Sequence, residues 1–317
     1  MSANLDSAGV LAMRRAIYGK PSVTRIDFSN VLAEGRAAGA DAPQEHGDLL
    51  SEVACDLIVN QVDPPEYISQ ADADWFIAQL GADSGLSCRA EYEMLVDVLR
   101  EAVSVPASLA AFAVAEMERT MVSGHHAGAT DDHAAGVVMH DDVEALRIAV
   151  FAATEGSLLH VTRTSAEALF HIAHATAAAA NDPGFDDFFA KAVGNYLLGI
   201  ANRWTPTVAE EIQKEKWLDE KAPSFGGFLG SLFGGGKGEV ASVDDLVERQ
   251  FRAENDADSQ AMAAAGGIDA GEADWLLDHL TRDGALTSAE KQLLRFLKQE
   301  STSLPASLTA VMDRQAA

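Results

Sequence analysis

Two different segments of this chain each occur twice, in the order A, B, A, B, and no other feature restricts the fold as strongly. Segment A begins Val10-Leu11-Ala12-Met13-Arg14-Arg15-Ala16-Ile17-Tyr18 and returns as Val143-Glu144-Ala145-Leu146-Arg147-Ile148-Ala149-Val150-Phe151. Val23-Thr24-Arg25 is answered by Val161-Thr162-Arg163, and Leu49-Leu50-Ser51-Glu52-Val53-Ala54 by Phe188-Phe189-Ala190-Lys191-Ala192-Val193. In segment B, Ala73-Asp74-Trp75-Phe76-Ile77 is answered by Ala273-Asp274-Trp275-Leu276-Leu277, and Val105-Pro106-Ala107-Ser108-Leu109 by Leu304-Pro305-Ala306-Ser307-Leu308. Self-similarity of this kind marks a repeated supersecondary unit. It predicts a first A–B module over residues 8–122, a His/Asp/Gly linker over 123–141, and a second A–B module over 142–317 with an insert at about 210–267.

Each unit reads as helices. Trp275, Leu276, His279 and Leu280 share one helical face, as do Phe185, Phe188, Phe189, Ala192, Val193, Tyr196 and Leu197. No run of alternating β-branched residues demands a strand. Thr287 with Glu290 and Asp269 with Glu272 have the spacing of capping boxes, and Ser69 with Asp72 and Thr24 with Asp27 are shorter-armed relatives. Pro43, Pro106, Pro183 and Pro305 are expected in the first turn of their helices, where a missing N–H costs little. Trp75 and Trp275 are expected as core anchors. The fold class is therefore all-α, a tandem duplication arranged as one curved bundle or as two similar lobes.

The connection Asp283-Gly284-Ala285-Leu286-Thr287-Ser288-Ala289-Glu290 resembles the "DG-x-hydrophobic-[ST]-x-x-E" hinge of the TerB-like family, helical domains named for bacterial tellurite resistance. The first B unit departs from it, with Asp83-Ser84-Gly85-Leu86 and one extra residue before Glu91. The resemblance covers about fifty residues per B unit. It implies an all-α fold and a link to metal stress or membrane-associated complexes.

Charge limits the partners. The formal net charge is −26, which repels nucleic-acid phosphates and anionic lipid surfaces and attracts cations and basic proteins. Cys55 and Cys88 lie in apolar helical contexts, as in a reducing compartment. Met1 to Ser7 lacks a basic region followed by an apolar one, and the apolar stretch Val103 to Ala115 is too short to span a bilayer. The expected location is cytoplasmic, with no nucleic-acid role and no membrane role.

Catalytic motifs are not apparent. Gly234-Gly235-Gly236-Lys237 lacks the register of a phosphate-binding loop and is followed by Gly238 where Ser or Thr is needed. Asn255-Asp256-Ala257-Asp258-Ser259 lacks the glycine and distal glutamate of a calcium loop. His171 and His174 lack the His-Glu-x-x-His form of a zinc hydrolase and read as half-buried surface histidines. His125, His126, His133 and His140 with Asp131, Asp132, Asp141 and Asp142 offer metal-type donors, but at spacings that match no closed site. No catalytic residue, metal ligand or cofactor is assigned.

The insert is the remaining distinctive feature. Phe225, Phe228, Leu229, Leu232 and Phe233 fall on one helical face, with Trp217 upstream, and glycines fill the other face. A helix so rich in glycine is intrinsically poor and orders on docking, in cis or in trans. Trp217, Phe225, Phe228, Leu229, Leu232 and Phe233 are therefore the expected partner-binding residues. The sequence points to a non-enzymatic adaptor or scaffold that binds another protein with a basic surface. A metal-ion-binding or stress-response protein is the alternative.

Overall fold

The computed structural model of the protein describes residues 5–81, 85–124, 135–152, 161–198, 267–280, 285–301 and 303–316. Among them the chain forms twelve α-helices and no strand. The first half holds α1 (Ser7–Tyr18), α2 (Arg25–Ala38), α3 (Gln44–Cys55), α4 (Gln70–Leu80), α5 (Arg89–Glu101) and α6 (Ala107–Ser123). The second holds α7 (His140–Ala152), α8 (Arg163–Ala175), α9 (Gly184–Leu198), α10 (Ala270–Leu280), α11 (Ser288–Glu300) and α12 (Ala306–Ala316).

The helices start where polar side chains supply acceptors for the first free N–H groups. Thr287 and Glu290 form a reciprocal capping box, with Glu290 N donating to Thr287 Oγ1 at 3.2 Å and Thr287 N donating to Glu290 Oε2 at 2.7 Å. Asp269 and Glu272 exchange two such bonds of 2.8 Å. Asp27, expected as the shorter-armed relative of the motif, completes it in full with Thr24. Pro43 and Pro106 stand one residue earlier than a first-turn position, as the N-cap residues of α3 and α6. Their φ of −70° and −57° suits helix and extended chain alike, and their ψ of 153° and 143° brings the chain in extended immediately before the helix. Ser104 accepts from Ile68 N, Ser303 accepts from Ile268 N, and the isolated parallel bridges Tyr67–Ser104 and Gly267–Ser303 hold the starts of α4 and α10 beside those of α6 and α12.

Core packing explains the order of the elements. The two most extensive helix contacts are α3 against α5 and α9 against α11. Phe28 of α2 meets Trp75 and Phe76 of α4 with ring centroids 5.5 Å apart in each case. Phe170 of α8 meets Trp275 of α10 at 5.6 Å and Phe189 of α9 at 5.0 Å. Trp275 is buried and Trp75 half-buried, with the guanidinium of Arg25 lying 4.6 Å from the Trp75 ring centre. The halves meet at α6, which packs on α4 and α5 behind it and on α7 and α8 in front. Ala110 and Ala113 are buried there, and such small side chains let four neighbours approach one helix. The hydrophobic core is continuous through both halves, which corresponds to the single-bundle arrangement.

One close approach fixes α2 on α3. The buried imidazole of His46 donates from Nε2 to the carbonyl of Val31 at 2.9 Å and brings its Cε1 edge against Gly35. A Cβ at Gly35 would stand 2.2 Å from His46 Cε1. Replacing a helical glycine by alanine favours the helix by roughly 1 kcal/mol. Overpacking and the displaced hydrogen bond oppose it by about 2–4 kcal/mol together. Gly35→Ala is therefore expected to lower stability in urea unfolding despite its better helix propensity. A stabilised variant would contradict this packing.

Asp27 supplies a pH test. Burial works against its charged form, but donations from Lys20 Nζ, the Thr24 hydroxyl and the Thr24 amide outweigh it and hold the carboxyl below its usual range. The stability this contributes is fully present above the ordinary aspartate pKa and disappears as pH falls through the lower folded value. Asp27→Asn is expected to lower the melting temperature at pH 7, and its difference from the parent chain to shrink steadily below pH 4.

Candidate functional site

The expected partner-binding residues Trp217, Phe225, Phe228, Leu229, Leu232 and Phe233 lie outside the described residues, as do His125, His126, His133, Asp131 and Asp132. Of the linker histidines, His140 is described. Its Nδ1 stands 3.5 Å from a carboxylate oxygen of Asp182, just ahead of α9. Among the described residues no group of three His, Cys, Asp or Glu side chains is placed to hold a metal ion. No helix among them is long and apolar enough to cross a membrane.

Four buried carboxylates are built into the connections between helices. Glu91, 1% exposed, receives Arg36 Nε on Oε1 at 2.7 Å, and Arg36 Nη2 at 2.9 Å and Ser87 N at 3.0 Å on Oε2. The same guanidinium donates at 3.1 Å to the carbonyl of Leu80, at the end of α4. Arg36 therefore ties the C-terminus of α4 to the N-terminus of α5: the dipole of α4 favours the guanidinium at its end, and that of α5 favours the Glu91 carboxylate in its first turn. Glu290, also 1% exposed, receives His174 Nε2 at 2.9 Å in addition to Thr287 N. Glu116 accepts from Leu86 N at 2.9 Å and contacts Arg119. Gly85 passes beside the Arg119 guanidinium with φ of 71°, a backbone conformation that strains any residue with a side chain. Asp142 accepts from Met139 N at 2.7 Å and opens α7. His171 and His174 separate in role: His171 is exposed and paired with Glu118, whereas His174 is half-buried against Glu290.

Two concave surfaces flank the junction of the halves. A groove of about 290 Å³ runs between α5 and the start of α7. Arg89, Tyr92, Glu93, Val96, Asp97 and Arg100 line it from a single stripe of α5. Met139, Asp141, Asp142, Glu144 and Ala145 line it from the other side. Burial, followed by the carboxylates of Asp142 and Asp141, pushes the Tyr92 phenol up, so it stays a neutral hydroxyl. A shallower cleft of about 270 Å³ lies between α6 and α8 over Ala111, Ala115 and Ala168, edged by Glu118, Glu167 and His171. Arg163 holds the Glu167 carboxyl below its usual range. Both thiols resist ionisation: burial pushes Cys55 up, with Glu101 adding to it, and burial also raises Cys88.

The groove was not legible in the sequence, because Tyr92 and Asp141 come together through helix packing. The α5 stripe does show as charged and aromatic residues at helical spacing. The Arg36–Glu91 clamp gives a sharp energetic test. Removing the partner of a buried charge costs up to about 3–5 kcal/mol, since the remaining charge keeps its desolvation cost, and the 33% exposure of the Arg36 side chain places this pair at the lower end of that range. Arg36→Met is expected to fall in that range in chemical denaturation, and a double-mutant cycle with Glu91→Gln to show coupling above that of His174→Phe with Glu290→Gln. Equal coupling in the two cycles would remove the distinction between the bidentate and single-bond pairs.

Comparison with known proteins adds no relative: no protein family matches the chain, no curated protein matches it, and no solved structure matches it.

Proposed function

We propose that this chain is a non-enzymatic cytoplasmic adaptor or scaffold, built by tandem duplication of a two-part helical A–B module and acting by binding another protein. The observation that carries this reading is the use of the buried charged side chains. Asp27, Glu91, Glu116, Asp142 and Glu290 are each committed to a helix start or a hinge. Catalytic sites draw on buried, perturbed groups aimed into a cleft. Here the buried carboxylates are spent on rigidity, and the open concave surfaces are edged by exposed charges, as binding surfaces are.

Duplication is supported by features that recur at matching places. Thr24 and Thr162 cap α2 and α8. Arg36 and His174, each twelve residues beyond its capping threonine, reach Glu91 and Glu290. The bridges Tyr67–Ser104 and Gly267–Ser303 tie B-segment residues in the same way. The TerB-like hinge agrees with the all-helical frame, and its [ST]-x-x-E spacing is accounted for by the Thr287–Glu290 capping box without a ligand.

In this reading the apolar residues Trp217, Phe225, Phe228, Leu229, Leu232 and Phe233 contribute to partner binding. An affinity pull-down from native extract with the intact chain and with residues 222–238 deleted, read by mass spectrometry, tests it. The expected outcome is a set of proteins held by the intact chain and released by the deletion, and more readily at high salt. Identical captures by the intact and the shortened chain would refute the role assigned to the insert.

A further inference from the structure

The α5/α7 groove combines three properties. It is elongated: Arg89 to Arg100 spans eleven residues of α5, about 16 Å, enough for about five residues of extended chain. Part of its lining is apolar, made by the Tyr92 ring, Val96, Ala145 and Met139, and Met139 is 45% exposed. Its polar lining is dominated by carboxylates, with Glu93, Asp97, Asp141, Asp142 and Glu144 against Arg89 and Arg100.

The two arginines do not reverse that sign. Arg89 is bound to Glu93 at 2.6 Å and Arg100 to Asp97 at 2.5 Å, within their own helix. All four side chains are well exposed or half-exposed, and such pairs hold weakly and exchange readily. Glu144 is paired with Arg147 in the same manner. Asp141 is exposed at the first turn of α7 and makes no ion pair among the described residues. Phosphate-bearing ligands are disfavoured here by charge.

We propose that the groove between α5 and α7 docks a lysine- or arginine-bearing segment of the partner protein, with its aliphatic stems on Tyr92, Val96 and Met139 and its cations at Glu93, Asp97, Asp141 and Glu144. This deepens the adaptor reading and rests on it. Long basic side chains suit such a lining because the stem is apolar and the head is charged, and a cation over the Tyr92 ring gains further attraction. The net charge of −26 steers a basic segment toward the chain, and the shape of the groove selects where it lands. The halves of the protein meet beside this groove, so a segment seated in it touches both.

The test is fluorescence anisotropy of the full chain with a labelled ten-residue peptide alternating lysine and alanine, and with its glutamate-for-lysine counterpart. Circular-dichroism melting verifies the fold of each variant. The lysine peptide is expected to bind, with affinity falling as salt rises, and the glutamate peptide not to bind. Asp141→Asn with Glu144→Gln is expected to weaken binding about fivefold or more, and Met139→Ser about threefold. Glu34→Gln with Asp41→Asn, which removes the same charge from exposed positions on another part of the first half, is expected to change it less than about twofold. Equal weakening by the groove and control variants, or no lysine-peptide binding, overturns the proposal. So does self-association, seen by sedimentation, that the groove variants abolish, since a second copy would then be the occupant. If the groove variants bind no peptide yet capture the same proteins as the intact chain in the pull-down, the groove assignment falls and the adaptor reading stands. If the peptide binds in the groove while deletion of 222–238 changes no capture, the groove stands and the role of the insert falls.

Discussion

A buried glutamate at the start of a helix governs how this chain holds its hinges. Glu91 and Glu290 are each 1% exposed. An isolated carboxylate at such a depth would be strongly destabilising. Each is tolerated because it accepts a backbone N–H from its own hinge and a side-chain donor from a helix of the preceding A segment. The consequence is geometric. A carboxylate held by three donors at Glu91, or two at Glu290, sits in one place, so the start of α5 is fixed with respect to α2, and the start of α11 with respect to α8. Hydrophobic packing alone lacks that directionality. It supplies the driving force of α3 on α5 and α9 on α11, and the carboxylates select one register of that packing.

The junction between the halves follows from side-chain size. α6 is surrounded by neighbours and buries Leu109, Ala110, Ala113, Val114, Met117 and Met121 over a wide arc. A helix presenting large residues all round would hold its neighbours apart; one alternating alanine with Leu and Met permits close approach on several sides. The segment before α7 is then tied down by polar bonds. Gly136 N donates to Met121 O at 2.8 Å, Val138 N to Asn181 Oδ1 at 3.0 Å, and Asp182 N to Val138 O at 2.8 Å. The groove beside α5 exists because these ties set the start of α7 beside an α5 stripe that still carries charge.

Local signals were legible in the sequence and distant ones were not. The Thr287–Glu290 box is written in four residues, and its apolar helix faces follow a 3.6-residue period, so helix starts and buried faces could be read directly. The short arm of Asp27 closes the Thr24 box because the Lys20 ammonium, 2.5 Å away, draws the carboxylate into place, and that contact lies outside the four-residue motif. Pro43 and Pro106 stand at the cap because the φ of proline serves the cap position, with an extended ψ, as readily as it serves the first turn. Arg36 and Glu91 lie 55 residues apart, His174 and Glu290 116 apart. No spacing rule connects them. Each could have been flagged only as a polar residue on an otherwise apolar helix face. The same holds for His46, whose burial depends on the missing side chain of Gly35.

Charge bookkeeping gives the acidic surface its meaning. In the first half the basic residues are largely committed: Arg14 to Glu52, Lys20 to Asp27, Arg25 to Asp72, Arg36 to Glu91, Arg89 to Glu93 and Arg100 to Asp97. Each such pair cancels one negative charge locally, so the field beyond the surface comes from the carboxylates left over. At physiological salt that field decays over about 8 Å, which makes it a short-range property of particular concave places and not of the molecule as a whole. A ligand meeting an exposed convex carboxylate gains little from it. A cation in a groove meets several carboxylates within one screening length while the walls exclude part of the competing solvent. The excess acidity is therefore most consequential where packing has made a concavity with an apolar lining, and the junction of α5 with α7 supplies both.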